Sequence, residues 1–126
     1  MKKDLEERGD IEKLVNSFYD KVREDNTIGY IFNDVAKVDW PHHLPTMYDF
    51  WEMVLFGKGP YKGDPMTKHI QLNQKVRLDS THFDRWKELF FQTIDEHFEG
   101  DKANEAKLRA TNIASLMLYK VQQSTQ

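Results

Sequence analysis

The sequence predicts an all-α protein, and three observations predict it. Apolar residues return at helical spacing in four separate stretches. Each of those stretches is bounded by helix-start or helix-stop residues. None of the 126 residues falls in a convincing strand pattern of alternating apolar and polar side chains. A chain of this length is most simply one domain, with room for a real core. The expected unit is 1–126, with residues 1–9 as a loose, highly charged extension.

The first helix follows Asp10, whose carboxylate is placed to cap it, and carries Ile11, Leu14, Val15, Phe18, Tyr19 and Val22 on one stripe. It should end near Asp25, before Asn26 and Gly29. Ile31 and Phe32 then form an apolar knot in a connecting turn. Asp39 precedes a second helix, and Pro41 is tolerated in the first turn because its missing N–H has no intrahelical partner there. His43, Met47, Phe50, Trp51 and Val54 fall on one face of that helix, while His42 is rotated off it. Residues 57–65 are rich in glycine and proline and read as loop. A short turn bearing His69 between Met66 and Ile70 follows, then the irregular QKVRLD. Asp79 or Ser80 can cap a long helix with Phe83, Trp86, Phe90 and Ile94, stopped by Gly100. The final helix carries Ala106, Ala110, Ile113, Met117 and Val121, a stripe beginning with small residues that lets a neighbouring helix approach closely.

Composition narrows the functions. There are 8 Phe, 5 Tyr and 3 Trp, so the interior is bulky. The net charge of -3 and the lack of a basic tract argue against a nucleic-acid binder. Without cysteine there is no disulfide, thiolate ligand or thiol catalysis, and no CxxCH for covalent haem attachment. No apolar run approaches membrane-spanning length, and the polar start has no signal-peptide core, so a cytoplasmic protein is expected.

Tyr19, His43, His69 and Trp86 lie in or beside apolar stripes of different segments and can converge. Each has a plainer explanation. His69 can be satisfied by a backbone carbonyl, His43 can be a half-exposed helix residue, and Tyr19 and Trp86 can be core residues with paired polar tips. Other constellations are weaker. Asp95, Glu96 and His97 are adjacent on a helix and do not share a face, and His42 with His43 has the same defect. GKGPYKGD lacks the phosphate-cradle pattern, and neither HEXXH nor GXSXG occurs.

Taken in order, FYDKVRED, IFND, DWPHHLPTMYDFW, GPYKGDPMTKH, HFDRWKELF and LRATNIAS resemble the group III truncated haemoglobins over about residues 11–118. The resemblance implies a shortened globin, with two helix pairs packed two-over-two around a haem. It implies His69 as proximal iron ligand, Tyr19, His43 and Trp86 as the distal groups, and Phe32 as the aromatic wedged at the haem edge. Met47, Phe50 and Trp51 match positions lining the porphyrin. Met66 flanks the proximal side, and Lys68 and Arg77 are cations near the propionate edge. Tyr30 departs from the pattern, standing where family members often have proline. The implied cofactor is non-covalent haem b. The implied ligands are dioxygen and other diatomic molecules, with nitric oxide or peroxide chemistry and an unidentified reductase as further expectations. No nucleic acid or membrane partner is implied, and a monomer is expected. Whether the protein is an enzyme stays open. The rivals are a haem-free helical interaction or sensor module that keeps the globin fold, and a non-haem metal enzyme using His42, His43 or His97.

Overall fold

The computed structural model describes residues 2–61, 63 and 65–124, with the backbone alone described at 65–67 and 124. Five α-helices follow in order: α1 (Arg8–Glu24), α2 (Trp40–Phe56), α3 (Pro65–Lys75), α4 (Ser80–His97) and α5 (Asp101–Ser124). A π-helical turn, Ile31–Val35, lies between α1 and α2. It buries Ile31 and half-buries Phe32, so the expected apolar knot is a wound turn. Among the described residues there is no strand beyond one isolated parallel bridge between Lys3 and Phe98. No helix among them is long and apolar enough to cross a membrane.

Helix α1 begins earlier than the sequence suggests. Asp10 is the third helical residue and not the cap. From there its carboxylate reaches back to the amides of Glu6 (3.0 Å) and Glu7 (3.2 Å). An acidic group at either position satisfies the same orphan donors, which is why the two cannot be told apart by pattern. The extension expected to be loose is tied down from Lys3 onward. Leu5 is fully buried, and the Asp4 carboxylate accepts the amides of Lys102 (2.9 Å) and Ala103 (2.8 Å) at the start of α5. Gly100 permits this approach, because a Cβ there would stand 2.6 Å from the Asp4 carboxyl carbon, and its φ of +134° disfavours any other residue.

At the other end of α1, Asp25 accepts the amides of Thr27 (2.9 Å) and Ile28 (3.1 Å) and the Arg85 guanidinium (2.8 Å). Burial pushes this carboxyl up, but Arg85 and the two amides outweigh burial and hold it below the usual carboxylate range. Asp39 precedes α2 as expected, and Gly57 ends it in the left-handed conformation (φ +66°). The short turn expected at His69 is instead a helix of 11 residues, begun by Pro65 at the position where proline is best tolerated. Asp79 caps α4 by accepting the Thr81 amide at 3.0 Å. That helix stops at His97, before Gly100, because Phe98 turns extended to pair with Lys3.

Helices α1 and α2 form one layer, and α4 and α5 the other, with α1 resting on α4 and α2 on α5. This is the two-over-two arrangement. The small face of α5 (Ala103, Ala106, Ala110 and Ala114) is buried, and α5 packs most extensively against α4. Phe18, Phe90, Leu14 and Ile94 fill the centre. Helix α3 stands outside the two layers, mainly on α5.

Candidate functional site

Helix α2 is the least satisfied element of the fold. It is rich in apolar side chains, yet only Trp51 and Leu55 are fully buried. Trp51 and Leu55 share a face, and Trp51 stacks on Phe90 at 4.8 Å. The adjacent stripe of His43, Met47, Phe50 and Val54 stays half-buried. Contiguous apolar surface left uncovered marks a place where something else packs. Among the described residues, α2 and α3 do not pack extensively on each other. At its far end the stripe opens into a groove of about 520 Å³ whose lining includes Phe50 and Val54 of α2 and Ile113 of α5.

Two of the expected site residues meet at the near end. Tyr19, on the buried stripe of α1, brings its hydroxyl to 3.3 Å from His43 Nε2. The two rings lie edge to face, with centroids 5.3 Å apart. Phe32 touches Tyr19 from the π-helical turn at 6.0 Å. Burial pushes the Tyr19 phenol well above its ordinary range, so it keeps its proton. Burial lowers His43 to about 4, helped by the positive charges of Lys68, His42 and His69, so its imidazole is neutral near pH 7.

His69 is one of the charges that bear on His43. It is half-buried on α3, close enough for its charge to be felt at His43 on α2. Trp86 lies deeper. It stacks on Phe90 (5.6 Å, 3° between planes) and meets Phe18 edge-on at 5.7 Å, and Phe18 in turn touches Tyr19. Lys68 and Arg77 are exposed. The side chain of Met66 lies outside the described residues.

Trp40 is not among the residues the sequence singles out, yet it touches both members of the pair. Its ring is 5.2 Å from Tyr19 and 5.7 Å from His43, stacked on Phe32 (6.3 Å) and covered by the Arg23 guanidinium at 5.0 Å. Its spacing of three residues before His43 on a helix is the signal that points to it.

The donor set suits the haem expected above. Iron in a haem takes one neutral imidazole from the protein, and the porphyrin needs flat apolar walls, which the α2 stripe supplies. Among the described residues no three His, Cys, Asp or Glu side chains gather where they could hold an ion, so the His42, His43 and His97 alternative lacks a ligand set there.

Comparison with known proteins agrees with the geometry. The family model described as bacterial-like globin matches residues 5–119. The chain is 34% identical over 116 residues to a group 3 truncated hemoglobin of Campylobacter jejuni, covering 87% of this chain and 89% of that protein. Its fold is similar to the crystal structure of the group III truncated hemoglobin from Campylobacter jejuni, with a TM-score of 0.83 at 31% sequence identity, covering 96% of this chain and 95% of that one.

Proposed function

Because the chain belongs to the bacterial-like globin family, we propose that it holds a haem between α2 and α3 and binds dioxygen and other diatomic molecules there. A bound haem supplies an iron atom with one face open to a small ligand. The observation that supports the reading is the buried Tyr19 hydroxyl 3.3 Å from the neutral His43 imidazole, beside the half-buried apolar stripe of α2.

In this reading His69 holds the iron through its imidazole. With no cysteine in the chain, the group is bound without thioether links, as haem b is. Met47, Phe50 and Val54 wall the gap and keep water out, which strengthens every polar contact inside it. Trp51 supports that wall from the core side. When His43 Nε2 carries the proton, it donates to the Tyr19 oxygen and leaves the Tyr19 O–H free to donate to a ligand. The high pKa of Tyr19 makes it a donor throughout the physiological range. Trp86, reached through Phe18, offers its indole N–H as a further donor. Phe32 and Trp40 hold the Tyr19 and His43 rings in place, and Lys68 and Arg77 supply positive charge toward the propionate edge.

Each donor to a ligand contributes about 0.5–1.5 kcal/mol, so two slow its escape roughly ten- to a hundredfold. That suits tight retention, or redox chemistry on nitric oxide or peroxide, better than rapid delivery. We place this work in a cytoplasmic monomer, with an unidentified reductase supplying electrons.

Purified protein mixed with haem should develop a Soret band that His69→Ala abolishes or shifts. An unchanged band in that variant removes His69 from the ligand role. Folded wild-type protein that takes up no haem supports instead a haem-free interaction module on the same fold.

A further inference from the structure

We infer that Asn73 is a positioning residue that sets where His69 stands in the gap; the inference rests on the haem reading above. Asn73 lies four residues after His69 on α3, one turn further along the same face. It is a polar residue only 6% exposed, and both ends of its amide are engaged outside its own helix. Its Oδ1 accepts the Leu78 N–H at 2.7 Å, and its Nδ2 donates to the Val121 carbonyl at 3.3 Å.

Those partners matter because of where they are. Val121 is among the last four residues of α5, whose carbonyls have no intrahelical donor. Leu78 is buried in the connection that leads into α4. One side chain thus ties α3 to the end of α5 and to the start of the next segment. Only an amide can donate and accept at that reach: a carboxylate cannot donate, and an apolar isostere does neither.

Helix α3 opens at Pro65. It follows a loop in which Gly57 and Gly59 have positive φ, and α3 rests mainly on α5. The two Asn73 bonds therefore help set the height and rotation of α3 on α5. One helical turn away, the same constraint fixes the direction in which the His69 imidazole projects.

The test uses Asn73→Leu, which removes both bonds at similar volume, and Asn73→Asp, which keeps the acceptor and loses the donor. Thr93→Val is the control. It deletes another buried hydrogen bond, from Thr93 Oγ1 to the Leu89 carbonyl (2.7 Å), within α4. In the haem-loaded ferrous protein the iron–histidine stretching band should move and broaden in Asn73→Leu, move less in Asn73→Asp, and stay in place in Thr93→Val. A band at the wild-type frequency in both Asn73 variants overturns the inference, as does an equal shift in Thr93→Val. If Asn73→Leu does not fold, Asn73→Asp decides by the same band. If wild-type protein takes up no haem, the haem reading fails, and amide hydrogen exchange of the haem-free protein then judges Asn73. Exchange over residues 68–75 should quicken in the variant while residues 8–24 keep their wild-type rates. Unchanged exchange over 68–75 overturns the inference.

Discussion

His43 is an imidazole that the fold keeps uncharged, and the cost of doing so depends on pH. Its pKa in the folded chain is about 4, against an ordinary value of 6.5. As pH falls below 6.5 the unfolded chain takes up the proton first, so the unfolded state binds more protons and stability declines. The decline continues until the folded protein also protonates, near pH 4. His43→Gln has no such group and should lose less stability between pH 7 and 4.5 than wild type, read by urea unfolding of the haem-free protein. Equal losses would show that His43 is not the group responsible. Asp4, Asp10 and Asp25 do not blur this window. Each folded pKa lies below the ordinary 3.8, so their stabilisation is lost only at lower pH. At this scale the helical period is a good guide to the positions of Tyr19 and His43, whose side chains meet at 3.3 Å. It is a poor guide to Trp40. That residue stands at the first turn of α2, just before the stripe the sequence marks, and its role comes from rings contributed by α1 and the π-helical turn.

Among the elements, α5 depends most on a residue remote in sequence. Its first amides are capped by Asp4, whose two hydrogen bonds are 2.9 and 2.8 Å long. Asp4→Ala should cost about 1–2 kcal/mol in chemical denaturation, at the upper end for a cap because the group is charged. A cost near zero would mean that water replaces the carboxylate without penalty. Local pattern cannot reveal such a cap. The sequence between Gly100 and Ala106 contains nothing that points back to residue 4, so the early residues read as a loose tail. The long helices were legible because their apolar periods run for several turns and end at glycine or begin after aspartate. Helix α3 was read as a turn because the glycines and prolines before it suggest continued irregularity, although Pro65 in fact opens a regular helix. Its true extent depends on packing against α5, which no local signal records.

Taken whole, the molecule has a closed side and an unfinished one. The α1–α4 contact is lined by fully buried residues such as Phe18 and Phe90, whereas α2 keeps Met47, Phe50 and Val54 partly exposed. A ligand that fills this space binds the folded state alone, and so must raise its stability by mass action. Haem should therefore increase the thermal midpoint in a concentration-dependent way, by about 2.7 kcal/mol of stabilisation at a free concentration a hundredfold above the dissociation constant. A midpoint indifferent to haem would mean that the space is not its binding site. The Asp4 cap has a last consequence for how the chain is made. Donor and acceptor are separated by 98 positions, so the amino end leaves the ribosome long before its partner exists. The first helix must wait, its entry segment unsecured, until residues 102 and 103 have been synthesised. Closing so long a ring is slow compared with winding a helix. The final docking of α5 is thus the event that fastens both ends at once, and a nascent chain halted before it would hold its earlier helices without that clasp.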